Sequence, residues 1–255
     1  MELKKIYTDD ITALVAFAES RIGGRQENQD SYGWAKTPFG YLVTVCDGMG
    51  GQRGGKTASS LAVDTYMEQL RTMLKEDMAP QQLRELSSFC VAQANTAVHR
   101  RALEDPDCQG MGTTLVSAIV YQGGAVISNI GDSRAYLIRA GEIRRITHDH
   151  SVVEHLVESG DITAEEARTH PNRNLITRAL GPESSMPCDT YEMTLEDGDL
   201  LLLCTDGLVV AATDEEICRA VCSADDLNEG LERLIALARQ HGAPDNVTAV
   251  LLKNR

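Results

Sequence analysis

No apolar run in this chain approaches the ~20 residues that a membrane-spanning helix needs. The start, Met1-Glu-Leu-Lys-Lys-Ile-Tyr7, has no signal-peptide pattern. Basic residues are scarce as well: 24 Lys and Arg against 38 Asp and Glu give a net charge of −14 and a pI of about 4.8. That balance excludes nucleic acid and anionic membrane as main partners, because both demand clustered Lys and Arg. The seven cysteines are odd in number and form no Cys-x-x-Cys. Cys46 and Cys204 lie inside apolar runs, where a reduced thiol behaves as a small hydrophobe. A disulfide-free, cytoplasmic protein is the expectation. No linker, repeat or low-complexity tract interrupts the sequence. Its 42% hydrophobic and 24% charged residues are ordinary for a globular fold. Residues 1–255 therefore read as one domain, expected as a monomer.

Thr12 to Ser20 reads as a strand leading into the turn Ile22-Gly-Gly24. A polar hexapeptide, Arg25-Gln-Glu-Asn-Gln-Asp30, separates it from a strand around Trp34, and Pro38-Phe-Gly40 marks a turn. The run Tyr41 to Cys46 is β-rich and breaks into Asp47-Gly48 and a glycine-rich turn. Val63, Tyr66, Met67, Leu70, Met73 and Leu74 then share one helical face. Leu83, Leu86, Cys90, Ala94, Ala97 and Val98 mark a second helix after Pro80. Both stripes are core. From Gly112 short strands follow: Thr113–Tyr121, a Gly123-Gly124 turn, Ala125–Ile130, an interruption at Gly131-Asp-Ser-Arg134, Ala135–Arg139 and Ile143–Ile146. The spacing predicts an antiparallel meander. Residues 148–180 are polar with short helical pieces, Thr163-x-x-Glu166 forming a capping box, and read as a surface flap. Leu200–Cys204 is the most apolar strand, ending in Thr205-Asp206-Gly207. A last helix carries Leu227, Leu231, Leu234, Ile235 and Ala238. The strand Asn246–Leu252 follows Pro244-Asp245.

Five aspartates stand at strand ends or between strands: Asp30, Asp47, Asp132, Asp206 and Asp245. One alone would be a turn residue, since Asp-Gly is a common hairpin signal. Five converging on one cleft would carry a charge that needs cations. Two divalent ions nearly balance it and three overbalance it. The donors are all oxygens, with no His-x-x-x-His or cysteine pair at chelating spacing, which favours Mg²⁺ or Mn²⁺ over Zn²⁺. His148-Asp-His150 is a weak alternative. A two-metal carboxylate site activates water for in-line displacement at phosphorus, and Arg25 suits a phosphate clamp. The glycine-rich turn offers a rival. Gly50-Gly-Gln-Arg-Gly-Gly-Lys-Thr57 satisfies the Walker A pattern after a strand and before a helix. A nucleotide triphosphatase of that kind needs a parallel sheet, however, and the hairpins of 112–146 oppose one.

Arg25-x-x-Asn28-x-Asp30, Val45-Cys-Asp47-Gly-Met-Gly-Gly51 with Ala58-Ser59, Gly112-Thr-Thr114, Asn129-Ile-Gly-Asp132-Ser-Arg134, Thr205-Asp206-Gly207 and Asp245-Asn-Val-Thr248 together resemble the metal-dependent, type 2C protein phosphatases of the PPM family. They recur in that family's order from about residue 12 to the end. The segment His148–Gly181 resembles the flap of the family's bacterial branch. The resemblance implies an α+β fold, a four-layer α-β-β-α sandwich of two antiparallel sheets flanked by helices, as a single catalytic domain with a flap at about 148–180. It implies a protein serine/threonine phosphatase using two Mn²⁺ or Mg²⁺ ions and a weaker third. Its partners would be phosphorylated proteins, including a Ser/Thr kinase. Carried over, Asp47 bridges both metals and the Gly48 carbonyl completes one shell. Asp206 and Asp245 bind the second ion, and Asp132 with Asp206 the third. Asp30 orients a metal-bound water, and Arg25 binds the substrate phosphate.

Three positions depart from the family pattern. Met49 stands where eukaryotic members carry a histidine, Gln29 where Glu is frequent, and Lys56 where an acidic residue is frequent. The phosphatase reading leaves Lys56→Ala with little effect, whereas the Walker reading makes it destructive. A third reading, a non-catalytic module on the same fold, fits poorly, because the metal aspartates are all present.

Overall fold

The computed structural model describes residues 4–6, 14–37 and 40–254. Thr12 of the predicted first strand and Pro38-Phe39 of the predicted turn lie outside them. The five-stranded sheet runs β11 (Asp189–Thr194), β8 (Gly124–Ile130), β7 (Leu115–Tyr121), β4 (Gly40–Cys46) and β3 (Ser31–Thr37). The six-stranded sheet runs β1 (Lys4–Ile6), β2 (Leu14–Arg21), β13 (Val247–Asn254), β12 (Leu200–Cys204), β9 (Arg134–Arg139) and β10 (Glu142–Arg145). A small ribbon pairs β5 (Gly48–Met49) with β6 (Gly112–Thr113). Every pairing among the described strands is antiparallel. The Walker reading of 50–57 loses its parallel sheet.

Side-chain alternation along β4 explains the layers, since successive residues of a strand point to opposite faces. Leu42 and Cys46 join α1 (Gly51–Met73) and α2 (Pro80–Glu104) in one core. Tyr41, Val43 and Val45 face the other sheet, meeting Leu201, Leu203, Val250 and Leu252 in a second core between the sheets. Leu202, Cys204, Ala249 and Leu251 point the opposite way. They pack under α5 (Asp206–Ala211), α6 (Asp214–Cys222) and α7 (Leu227–Gln240). The result is the expected helix–sheet–sheet–helix order. Of the helical stripes predicted from sequence, Val63, Tyr66, Met67 and Leu70, and Leu83, Leu86, Cys90, Ala94 and Val98, are buried in the first core, while Met73 at the end of α1 is exposed. Within it, the Tyr66 hydroxyl is bonded to Ser87 at 2.7 Å and to Ser117 at 2.6 Å, fastening α1 to α2 and β7.

The predicted meander over 113–146 is only half correct. β7 and β8 are a hairpin of the five-stranded sheet, and β9 and β10 are a hairpin of the six-stranded one. The chain changes sheets at Gly131–Ser133. Gly131 has φ +99°, and a Cβ there would lie 2.5 Å from the Thr114 side chain. Spacing alone cannot separate a tight hairpin from a crossing between stacked sheets, because both read as strand–turn–strand. The edge strand β11 was not foreseen; it gains its place by pairing with β8. The flap carries α3 (Val152–Ser159) and α4 (Ala164–Thr169), the latter with the predicted Thr163–Glu166 capping box. Its base is sewn down where Thr113 and Leu180 exchange two backbone hydrogen bonds.

Candidate active site

Four of the aspartates sit beside strand ends, and all of these ends lie on one side of the sandwich. Asp47 follows β4, Asp132 follows β8, Asp206 opens α5 after β12, and Asp245 precedes β13. Together they line a cavity of about 940 Å³ with Arg25 and Gly48. Main-chain clamps aim them. The Asp47 carbonyl accepts from Thr114 N at 2.9 Å and Thr113 Oγ1 at 2.7 Å, and its N–H donates to Thr114 Oγ1 at 2.8 Å. Gly48 must be glycine, since a Cβ would stand 2.0 Å from the Gly55 carbonyl oxygen. Gly207 lets α5 press against β13, where a Cβ would stand 2.0 Å from the Asn246 carbonyl oxygen.

Asn246, quoted in the motif Asp245-Asn-Val-Thr248 without a role of its own, ties the site together. Its Oδ1 accepts from Gln29 N at 2.8 Å, and its Nδ2 donates to the carbonyls of Ile22 at 2.8 Å and Glu27 at 3.0 Å. The Arg25 loop is thereby hung on the Asp245 loop, and the Arg25 guanidinium donates to Asp245 Oδ2 at 2.7 Å. The hexapeptide's polar composition hinted at such a role without naming the partner. From the flap, Asn174 and Ile176 reach the cavity wall, also unforeseen.

Asp30 stands apart from the other four. It is buried behind the cavity, with Oδ2 accepting from Thr248 Oγ1 at 2.6 Å and Thr205 Oγ1 at 3.0 Å. Thr248 in turn bonds Ser20 at 2.7 Å. Because the Thr248 proton is committed to Asp30, Ser20 is the donor in that pair. Burial, opposed by the two threonine hydrogen bonds, pushes the Asp30 carboxyl up to about 7.

The electrostatics of the cavity call for cations. Burial and the mutual repulsion of Asp206, Asp30 and Asp132 push Asp47 well above the usual carboxylate range. Asp132 is raised likewise, chiefly by burial and then by Asp206. Burial and Asp245 push Asp206 up to about 6. The Asp206 Oδ1 atom is buried without a hydrogen-bond partner. Acidic groups this close stay ionised only when cations offset them. Four oxygen-donor carboxylates with an orphaned buried oxygen are the donor set of a hard divalent ion, so these residues fit metal. Lys56 is absent from the cavity wall, so the Walker-like loop presents no lysine there.

The histidine pair serves the scaffold. Asp149 is gripped by Arg134 through contacts of 2.6–2.9 Å, and His150 accepts from Gly131 N at 3.1 Å while facing Asp189. Among the described residues a tight trio of His148, Glu154 and Glu158 lies on the flap, but Glu154 is already paired with Arg145.

A family model described as protein phosphatase 2C matches residues 19–251. The chain belongs to the protein phosphatase 2C family. Among curated relatives, the serine/threonine phosphatase stp of Listeria innocua is 37% identical over 234 residues, covering 91% of this chain and 88% of that protein. The structure of serine/threonine phosphatase Stp1 from Staphylococcus aureus matches with a TM-score of 0.88 and 32% identity, covering all of both chains. The catalytic domain of PstP in complex with two manganese ions matches with a TM-score of 0.81 and 34% identity, over 94% of this chain and 97% of that one. These likenesses agree with the α+β sandwich expected from sequence and with a metal-dependent phosphatase of the family.

Proposed function

We propose that this protein is a metal-dependent protein serine/threonine phosphatase, hydrolysing phosphoserine and phosphothreonine in proteins. The observation that carries the reading is the convergence of four carboxylates from four separate segments beside one arginine. Asp47, Asp206 and Asp245, with the Gly48 carbonyl, would hold two divalent ions, Mn²⁺ or Mg²⁺. Asp132 with Asp206 would hold a weaker third. When bound, such ions supply the positive charge that acidifies water and stabilises the transferring phosphoryl group.

The chain's own residues do the rest. Arg25, more than half exposed at its side chain, is free to turn from Asp245 toward a phosphate, whose oxygens its fork matches. Asp30, held by Thr205 and Thr248, orients water from behind the carboxylates. The Met49 side chain, beside Gly112 at the cavity wall, has no titratable proton, so this position gives the leaving group none. We take residues 1–255 as one catalytic domain acting as a monomer in the cytoplasm, opposing a Ser/Thr kinase. Among the described residues no helix is long and apolar enough to cross a membrane. The test is hydrolysis of p-nitrophenyl phosphate and a phosphothreonine peptide with Mn²⁺ or Mg²⁺. Well-folded protein that turns over neither substrate with either ion refutes the proposal and leaves the non-catalytic module.

A further inference from the structure

The lysine of the Walker-like stretch points away from the aspartate cavity. Lys56 lies in the second turn of α1, and its Nζ donates to the Asp30 carbonyl oxygen at 2.7 Å and to Ser31 Oγ at 3.0 Å. Two α1 hydroxyls close on the same short segment. Ser59 Oγ donates to the Gln29 carbonyl at 2.5 Å and meets Ser31 Oγ at 2.8 Å, while Ser60 Oγ lies 3.1 Å from Ser31 Oγ. Asp30 is therefore held from two layers at once. Its carboxylate is bonded to Thr205 and Thr248 at the end of the six-stranded sheet. Its main chain is bonded to α1, which packs on the five-stranded sheet.

We propose that Lys56 is a positioning residue for the phosphatase reaction: it fixes the Asp30 main chain against α1 and so sets where the Asp30 carboxylate stands relative to the aspartate cavity. The inference rests on the phosphatase reading and on the part Asp30 has in it. An ammonium suits the task because it brings three donors to a carbonyl and a hydroxyl that both need one. An acidic side chain at this position would set an acceptor against the Asp30 carbonyl and add charge beside a buried carboxylate.

The surroundings separate this role from general packing. Lys56 is half-buried at a second cavity of about 430 Å³, lined also by Ser20, Asn28, Asp30, Ser31 and Asp64. Polar walls and that much room let water reach the Asp30 carbonyl when the ammonium is gone. The fold then survives the loss of Lys56, while the fixed placement of Asp30 does not. The proposal predicts the opposite of the sequence-based expectation that Lys56→Ala has little effect.

Lys56→Met, Lys56→Arg and Asp30→Asn, with the Lys56→Met/Asp30→Asn double variant, test the proposal against p-nitrophenyl phosphate at saturating Mn²⁺. Displacing a catalytic group by a fraction of an ångström costs rate rather than substrate affinity, so Lys56→Met should lower kcat roughly ten- to hundred-fold with KM unchanged. Lys56→Arg, which keeps the donor and the charge, should recover most of the loss. In the Asp30→Asn background Lys56→Met should cost nothing more, because residues that act through one another are not additive. The proposal is overturned by wild-type kcat in Lys56→Met, by an equal further loss in the Asp30→Asn background, or by KM rising in step with a fall in Tm. If Asp30→Asn itself turns over like the wild type, Asp30 has no part in the reaction and the proposal falls with it. If the wild type turns over in neither ion, the phosphatase reading fails first.

Discussion

Replacing Asp206 by Asn should stabilise the metal-free protein and destabilise the metal-loaded one. Asp206 is pushed up from 3.8 to about 6, first by burial and then by Asp245. Each whole step in pKa is worth ~1.4 kcal/mol. Keeping this carboxylate ionised in the folded, metal-free protein therefore costs about 3 kcal/mol at neutral pH. A carboxyl whose folded-state pKa is raised binds more protons folded than unfolded, so stability falls as pH rises from 3.8 through about 6. Below 3.8 the group is protonated in both states and the term vanishes. Asn keeps the size and carries no charge. It can also donate to Asp47, whose carboxyl lies within hydrogen-bond reach of Asp206. Metal-stripped Asp206→Asn should then melt roughly 5–10 °C above wild type at pH 7, with the gap closing toward pH 4. Saturating Mn²⁺ should reverse the order. At a thousand times Kd the ion held by Asp206 adds about 4.1 kcal/mol to the wild type, more than that cost, whereas the variant has lost a ligand. Thermal denaturation of stripped protein from pH 4 to 8, repeated with Mn²⁺, reads both signs. A variant that melts below stripped wild type at pH 7, or a gap that ignores pH, refutes the reasoning.

Arg25→Ala should cut kcat/KM for p-nitrophenyl phosphate by about ten- to hundred-fold, the worth of a charge-assisted hydrogen bond to a phosphate. Steady-state kinetics check this, and unchanged kinetics would remove Arg25 from substrate binding. Gly48→Ala should weaken Mn²⁺ binding and cost about 1–3 kcal/mol, because its Cβ would meet the Gly55 carbonyl oxygen at 2.0 Å and shift the main chain next to Asp47. Calorimetric titration with Mn²⁺ and a melting curve report the two effects. Tyr66→Phe should leave kcat alone while lowering stability by about 1–2 kcal/mol. It strips Ser87 and Ser117 of a shared partner deep in the helix-facing core, which urea unfolding will show.

Much of the fold was legible because local patterns and tertiary packing agree. β4 could be read from Tyr41–Cys46 because both of its faces are buried, and the α1 and α2 stripes because each helix has one dry side. The capping box at Thr163 was legible because it is complete within four residues. The site's aspartates could be found by their places at strand ends, even though no short-range signal joins them. What could not be read was relational. Asn246 is an ordinary residue after Asp245 until Ile22, Glu27 and Gln29 arrive beside it. β11 is a polar stretch that becomes a strand because β8 has an open edge.

By itself the sequence determined most strands, the two helical stripes, the aspartate set and the family resemblance that implied the four layers, since alternation, helical periodicity and residue identity are local quantities. The tertiary structure alone decided that the chain changes sheets at Gly131. It also decided that Asp30 stands behind the other carboxylates rather than among them, and that Lys56 reaches inward to Asp30 instead of toward a phosphate. Each depends on antiparallel pairings between distant segments, such as β2 with β13, and on which face of a stacked layer a side chain meets. A hydrogen bond between Ser20 and Thr248, 228 residues apart, is settled by packing and written in no motif.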